Sequence, residues 1–465
     1  MIPVPKLFRN TRSVKRINAY MESVFNEVLH TTLNPDGPGV IRIHLIPPKQ
    51  EENALNPSVA IINGTDIVPV NFVWAVILAE LIRETNQYDG KEISEPEIEN
   101  ILENTVEHVK QIIPVLSRKR IREDIRTIYR TIRQIAYREQ VTTDVYYMTL
   151  GEYAEYMSAP HRMDLMISAM NKDGKWHCNQ KCVHCYAAGQ ILSDEEECTT
   201  EEWKRILEKC RAAGIPQVTF TGGEPTMRED LIELVREARW FISRLNTNGI
   251  KLTEEYCRAL HEAELDSVQI TFYSCDREIH NRLVGAEQYH NTVSGIENAL
   301  AEGLSVSINT PLCILNRDYI KTLQFLHEKG VIYVTCSGLI TTGNAAGEAS
   351  EHLQLTSEEL EKILRESVAY CHQNGMEIAF TSPGWIQQSV FDEMNIPSPS
   401  CGACLSNMAV TPGGNVVPCQ SWLSDKPLGN MLRDDWETIW ECEACTERRD
   451  YSTRMTGECP LRRYC

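Results

Sequence analysis

The first 177 of the 465 residues contain no cysteine, although the chain has 17. No apolar run approaches the roughly 18–20 residues needed to span a bilayer, and the three basic residues within positions 1–13 have no apolar stretch behind them. Neither a membrane anchor nor a secretory signal is therefore expected. Positive charge is also short: 46 Lys and Arg stand against 65 Asp and Glu, a formal net charge of -19. Such a chain repels a phosphate backbone, which argues against nucleic acid as a partner. Phenylalanine is scarce, at 9, yet a 42% apolar fraction is enough to build buried cores and excludes global disorder. The length gives roughly two to four domains. A cytoplasmic protein with no membrane partner is expected.

A reducing cytosol forms few structural disulfides, so this many cysteines point to metal binding or catalysis. Three lie together at Cys178, Cys182 and Cys185, seven follow from Cys401 onward, and seven are scattered between. The scattered set is Cys198, Cys210, Cys257, Cys275, Cys313, Cys336 and Cys371. Most fall in predicted helices and strands, where a thiol packs as a small hydrophobe; Cys275 and Cys336, near strand ends, are the two that could do more. The chain thus divides into a metal-free front and a metal-bearing rear, with domains expected at 1–150, 160–385 and 395–465.

In the front, Ile41, Ile43 and Leu45 alternate with polar neighbours, and two short strands flank the turn signal Asn63-Gly64-Thr65-Asp66. An apolar helix is expected over 72–83 and a second over 95–113, stopped by Pro114. A third carries Ile121, Ile125, Ile128, Ile132 and Ile135 on one face and a run of arginines on the other. The arginine run reads as a solvated, salt-bridged surface, with contact to an acidic peptide as the alternative. From 163 to about 375 strands and helices alternate, with strands at 163–170, 217–221, 241–247, 267–274, 304–310 and 331–340. Six such repeats imply an α/β fold with a parallel sheet, whose chemistry sits at the carboxyl ends of the strands. Both Cys178 to Cys185 and Gly222-Gly223-Glu224-Pro225 fall on that rim.

Cys178, Cys182 and Cys185 form C-x3-C-x2-C. Three thiolates in one loop can hold three corners of a four-iron cluster, leaving one iron open for a substrate or cosubstrate. A zinc loop completed by His177 or His184 is the alternative. The triplet after the first strand, with Gly222, Gly223, Glu224 and Pro225 ending the second, resembles the radical S-adenosylmethionine (radical SAM) superfamily. That resemblance implies a partial (βα)6 TIM-like barrel, a 4Fe-4S cluster with one open iron, and S-adenosylmethionine chelated on that iron. It further implies that the Gly222 to Pro225 strand end binds the methionine amino group: glycines allow close backbone approach, and Glu224 offers an acceptor for an ammonium. His184 and Tyr186 match the residues that flank the third cysteine in relatives. Ser274 and Arg282 are expected at the ribose or carboxylate. Asn309 and the segment 339–344 are expected at the cosubstrate by topology, with Asn246 and Asn248 as weaker candidates.

The carboxyl-terminal cysteines, Cys401, Cys404, Cys419, Cys442, Cys445, Cys459 and Cys465, resemble the SPASM or twitch modules that hold auxiliary iron-sulfur clusters. Cys404-x9-Gly414-x4-Cys419 reproduces the first half of the module, whereas Cys442-x2-Cys445 and Cys459-x5-Cys465 depart from the second. Two closed clusters need eight cysteines, so seven allow one closed cluster with spare thiols or a second with an open iron. Cys401, Cys404 and Cys419 are expected among the ligands, and zinc at Cys442 and Cys445 is the alternative for that pair.

The family implies one-electron cleavage of S-adenosylmethionine and hydrogen abstraction by the 5'-deoxyadenosyl radical, with an electron donor such as flavodoxin or ferredoxin. Members with such modules commonly act on peptides. The front domain, α+β and winged-helix-like, resembles domains that grip leader peptides by strand addition; an unrelated capping domain fits the pattern equally. A sulfatase maturase is disfavoured because Gln420 stands where that subfamily has an aspartate base. A small-molecule cofactor-biosynthesis enzyme and a non-catalytic electron carrier complete the alternatives.

Overall fold

The computed structural model describes residues 25–34, 39–48, 56–88, 91–346, 352–424, 426–454 and 457–461, with Ala19 and Ser350. Cys465 lies outside them. The chain forms two compact units, Met1–Ser158 with Arg211–Pro216, and Ala159–Cys210 with Gln217–Cys465.

In the first unit β1 (Leu29–Leu33), β2 (Ile41–Ile46), β3 (Ser58–Ile62) and β4 (Asp66–Val70) pair antiparallel in chain order. Asn63 and Gly64 have φ of 47° and 71°, the successive left-handed residues that match the twist of a hairpin. Three helices follow: α1 (Phe72–Asn86), α2 (Glu95–Ile112) and α3 (Arg118–Ala136). Asn71 caps α1 by accepting from Trp74 N, and Ser94 and Glu97 form a capping box on α2. The five isoleucines of α3 are each 7% exposed or less and join one core with β2, β3 and α1. Burial of each contributes on the order of 2 kcal/mol. The opposite face of α3 is ion-paired to α2, Arg118 to Glu107 and Arg122 to Glu103. Such exposed pairs stabilise by about 1 kcal/mol or less. The outer edge of β4 is blunted: Met148 N donates to Ile67 O at 2.8 Å, and Pro69 has no N–H to offer.

The second unit is built on an open sheet. Parallel strands β5 (Arg162–Ser168), β8 (Gln217–Gly222), β9 (Ile242–Thr247), β10 (Ser267–Thr271), β11 (Val306–Pro311), β12 (Tyr333–Ser337) and β13 (Glu377–Phe380) lie side by side in that order. Between β5 and β8 the chain makes a small hairpin, β6 (Asn171–Lys172) and β7 (Lys175–Trp176). The alternation expected from sequence gives six parallel strands; β13 is a seventh, four residues long, and follows the helix Ser357–Gln373 in the chain. On the other side of β5 the sheet continues into β14 (Asn407–Val410), parallel to β5, then β15 (Asn415–Val417) and β16 (Gly429–Asn430), both antiparallel. The cysteine-rich carboxyl segment therefore extends the parallel sheet. Strands β9 to β11 alternate fully buried with half-buried residues. Leu245, Val268, Ile270 and Ile308 are at most 1% exposed and form the apolar layer that helices cover in α/β folds. No helix among the described residues is long and apolar enough to cross a membrane.

Candidate functional site

The loop after β7 carries Cys178, Cys182 and Cys185, and backbone from distant parts of the sequence props it. Lys181 N donates to Val284 O and Val183 N to Leu283 O, at 2.9 and 3.0 Å. Gly285, left-handed at φ 63°, ends the helix Arg277–Val284; a Cβ there would lie 2.4 Å from Lys181 O. On the other side Asn344 N donates to Cys185 O at 2.9 Å, and a Cβ on Gly343 would meet Tyr186 O at 2.4 Å. Cys182 packs beside Tyr273, Leu283 and Leu339, whereas Cys178 and Cys185 pack beside Met166, Met170 and Ala409.

At the end of β8, Gly222 has φ 128° and a Cβ on it would sit 2.3 Å from Ser168 O; on Gly223 it would sit 2.7 Å from Ala169 O. Both positions require glycine for contact with β5. This brings Gly223 O to 3.6 Å from Cys178 Sγ. Glu224 is 1% exposed. Its Oε1 accepts from Thr226 N at 3.1 Å, Thr226 Oγ1 at 2.6 Å and Thr247 Oγ1 at 2.6 Å, and its Oε2 accepts from Asn248 N at 2.8 Å. The carboxylate is thus a strut between β8 and β9, and only Oε2 has room for a further donor such as an ammonium. Burial raises its pKa, and these four bonds oppose the rise. Pro225 opens the short turn that brings Thr226 under the carboxylate.

These groups open on a cavity of about 500 Å³ at the carboxyl ends of the strands. Its lining includes Cys178, Cys182, Cys185, Gly222, Gly223, Glu224, Asn246, Asn248 and Asn309, together with residues of 337–341. Asn309 Oδ1 accepts from Thr335 Oγ1 at 2.9 Å. Ser274 and Arg282 do not reach it. Ser274 Oγ turns away to accept from Asp276 N at 3.1 Å, at the start of the helix that supports the cysteine loop. Arg282, further along that helix, is exposed in a shallow groove with Asp276 and Glu287. Their chain neighbours Leu283, Val284 and Gly285 contribute through the loop instead. Sequence reasoning missed Tyr186 and Gln420 as a pair: the Tyr186 hydroxyl donates to Gln420 Oε1 at 3.3 Å. It also missed the polar inward residues Thr219, Arg244 and Gln269.

Among the carboxyl-terminal cysteines, Cys401, Cys419 and Cys459 line the same cavity, and each of the other two influences the titration of Cys419. Cys404 lies behind them, its thiol hydrogen-bonded to Cys445. That bond lowers the pKa of Cys445 and raises that of Cys404, while the Arg449 charge, with Nη1 3.7 Å from the Cys445 sulfur, acts to lower both. Cys442 caps the helix Glu443–Thr453. Six of the scattered cysteines are core residues, Cys336 among them; Cys275 is half-buried.

The three loop thiols suit an iron-sulfur cluster electrostatically. Burial pushes Cys178 up to about 12, with the Glu224 charge adding to it. Burial also raises Cys182 and Cys185, and for Cys182 the two neighbouring thiols add to the rise. Thiolates at these positions need a cation, which bound iron would supply. Among the described residues no three His, Cys, Asp or Glu side chains are gathered tightly enough for a single metal ion. His177, one zinc alternative, has Nε2 4.0 Å from Glu197, and His184 lies edge-on to Tyr273 with ring centroids 4.9 Å apart.

Residues 177–326 match the radical SAM superfamily, and residues 401–465 match SPASM, an iron-sulfur cluster-binding domain. A Methanopyrus kandleri protein named "Probable GTP 3',8-cyclase" is 36% identical over 155 residues, 33% of this chain and 49% of that protein. Fe-coproporphyrin III synthase of Methanosarcina barkeri is 30% identical over 203 residues, 43% of this chain and 51% of that protein. The chain thus spans about half the length of these curated relatives. The crystal structure of Streptococcus suis SuiB bound to precursor peptide SuiA aligns at a TM-score of 0.57 and 15% identity, covering 84% of this chain and 86% of that one, a likeness of fold. Both motif regions are thus matched in the order the sequence predicts, by a radical SAM domain over residues 177–326 and a SPASM iron-sulfur domain over residues 401–465.

Proposed function

We propose that the protein reductively cleaves S-adenosylmethionine and uses the resulting 5'-deoxyadenosyl radical to abstract a hydrogen from a substrate seated in the cavity. One observation carries this reading: Cys178, Cys182 and Cys185, the Gly222 to Glu224 strand end, and Cys401, Cys419 and Cys459 all face one cavity. When bound, a reduced 4Fe-4S cluster supplies the electron that splits S-adenosylmethionine. Cys178, Cys182 and Cys185 would hold that cluster, and the close-packed glycines leave backbone accessible beside Cys178. The cavity walls exclude water from a reactive radical, and the polar side chains of the strands orient the substrate. Cys401, Cys404, Cys419, Cys442, Cys445 and Cys459, with Cys465, are the ligand pool for one or two auxiliary clusters. Flavodoxin or ferredoxin is the class of electron donor required. Anaerobic reconstitution with iron, sulfide and a reductant, followed by chromatography for 5'-deoxyadenosine, tests the reading. An iron-replete sample that forms none refutes it.

The substrate on this reading is a ribosomally made peptide, gripped by residues 41–140. Support comes from the shared fold with SuiB, whose structure holds its precursor peptide, and from Gln420, an amide whose oxygen already accepts from Tyr186 and cannot serve as a maturase base. Photo-crosslinking of a candidate precursor peptide should mark the first unit; crosslinks confined to the second unit would count against leader recognition.

A further inference from the structure

The inward face of the catalytic sheet is polar in successive layers. In the lowest, Asp164 is opposite Thr219, Thr219 opposite Arg244, and Arg244 opposite Ser267. Arg162 and Arg244 both reach the cavity, and Asp164 is the single carboxylate between them. Both oxygens of Asp164 are taken by Arg162, from Nε at 2.8 Å and Nη2 at 3.4 Å. Arg244 makes only a long contact, Nε to Ser267 Oγ at 3.4 Å, and no carboxylate lies within ion-pairing distance of it among the described residues. One step toward the rim, Asn246 Oδ1 is buried without a hydrogen-bond partner, and so is Thr219 Oγ1 on the neighbouring strand.

A guanidinium stays charged at any ordinary pH, and a partly desolvated charge with no counter-ion is costly. Such a group persists in a cavity when a ligand completes it. We infer that Arg244 anchors a carboxylate of the substrate, so that the group carried into the cavity is an acidic residue or another organic carboxylate, with Asn246 and Thr219 receiving its neighbouring polar atoms. This inference rests on the radical reading above and names the substrate class for it. The charge count selects a carboxylate over a phosphate. The Arg162, Asp164 and Arg244 cluster carries a net charge of one, which a carboxylate neutralises, whereas a phosphate brings about -2 beside Asp164. The fork of an arginine matches the two carboxylate oxygens in a way that a lysine does not. Burial and the nearby Arg162 both disfavour the charged form of Arg244 until such a partner arrives.

The test uses full-length, reconstituted protein loaded with S-adenosylmethionine under anaerobic conditions. Binding of the blocked pentapeptide Ala-Ala-Glu-Ala-Ala is measured by calorimetry against its Gln and phosphoserine counterparts. The Glu peptide should bind about ten- to a hundredfold more tightly than the Gln peptide. Arg244→Gln should bring the two to near equality, and Arg244→Lys, which keeps the charge but loses the fork, should leave an intermediate preference. Equal binding of the Glu and Gln peptides to the wild type, preference for phosphoserine, or an undiminished Glu preference in Arg244→Gln each overturns the assignment. If Arg244→Gln does not fold, Arg244→Lys decides, since a preference identical to the wild type refutes a bidentate anchor. Peptide preference is read by binding alone, so absence of 5'-deoxyadenosine from the same wild-type sample would refute the radical reading separately.

Discussion

Glu224→Gln separates a carboxylate that waits for S-adenosylmethionine from one that holds the strand ends together. The wild-type carboxylate accepts four protein donors, two from Thr226, one from Thr247 and one from Asn248. A glutamine can keep its oxygen toward Thr226 and Thr247, but its amide nitrogen then faces the N–H of Asn248, donor against donor. One bond to a charged acceptor is lost, a buried N–H is left unpaired, and three remaining bonds weaken, a total of about 2–4 kcal/mol. Thermal denaturation without S-adenosylmethionine should show a drop of several degrees. The pH dependence has a definite sign. Because the folded carboxyl has a raised pKa, the native state binds its proton more tightly than the unfolded chain does. Stability from this group therefore falls as pH rises from the ordinary carboxylate range through the raised value, and the variant lacks that slope. A double-mutant cycle with Thr247→Val should give a coupling on the order of 1 kcal/mol. A Glu224→Gln protein that melts like the wild type and loses only affinity for S-adenosylmethionine would refute the strut.

Arg228 is 9% exposed in its side chain, is ion-paired to Asp230 at 2.6 Å and Glu197 at 3.4 Å, and also donates to Ile167 O and Cys198 O at 3.1 Å. Arg228→Gln should cost about 1–3 kcal/mol by removing the cation shared by the two acids, since Glu197 keeps Lys172 and Asp230 keeps Thr200 as partners, and an unshifted urea midpoint would contradict this. His280 is fully buried and its pKa is lowered to about 4 by burial. Its stabilising neutral form is complete above pH 6.5 and lost as pH falls through 4, so acid should cost the wild type about 3 kcal/mol more than His280→Gln; identical acid limbs in urea titrations would exclude the effect. Gly285→Ala forces a Cβ to within 2.4 Å of Lys181 O at φ 63°. Beyond about 1–2 kcal/mol for the left-handed backbone, the cysteine loop must move, and iron bound per chain after reconstitution should fall; full iron content with unchanged melting would show that the loop tolerates it.

The strand-helix alternation and both motifs were legible because each is local. Leu245, Val268, Ile270 and Ile308 alternate with polar partners, and period two marks a strand whichever way its faces point. The direction is not local. A polar residue opposite an apolar one usually meets bulk water, but Thr219, Arg244, Asn246 and Gln269 line the cavity because the helices cover the apolar side. The seventh strand escaped notice because Glu377–Phe380 is four residues long with two exposed positions. Glu224 was placed correctly on the rim, yet its partners Thr247 and Asn248 come from the next strand and no spacing rule connects them to it. Ser274 and Arg282 were assigned to the cosubstrate by position after β10, whereas the helix there is spent on supporting Lys181 and Val183.

Sheet addition explains how two cysteine groups more than 200 positions apart can share one cavity. Asn407 to Val410 pair with Arg162 to Leu165 in parallel register, so Cys401 and Cys404 stand at the amino end of this strand pair and the Cys178 loop leaves from its carboxyl side. One cavity, lined by Arg162 as well as by both cysteine groups, joins the two ends. Met166, Ala187, Ala409, Val417 and Leu423 form one buried apolar cluster there, with Cys178, Cys185 and Tyr186 packed against it. Each fully buried aliphatic side chain in that cluster contributes roughly 1.5–3 kcal/mol, far more than the single Tyr186 to Gln420 bond, worth about 1 kcal/mol. Packing therefore sets the separation of the two thiol groups, and the hydrogen bond fixes how the residues after Cys185 and Cys419 face each other. A change such as Ala409→Leu, which overfills the cluster by a few methylenes, should disturb both groups at once, whereas Tyr186→Phe should leave their ligation intact.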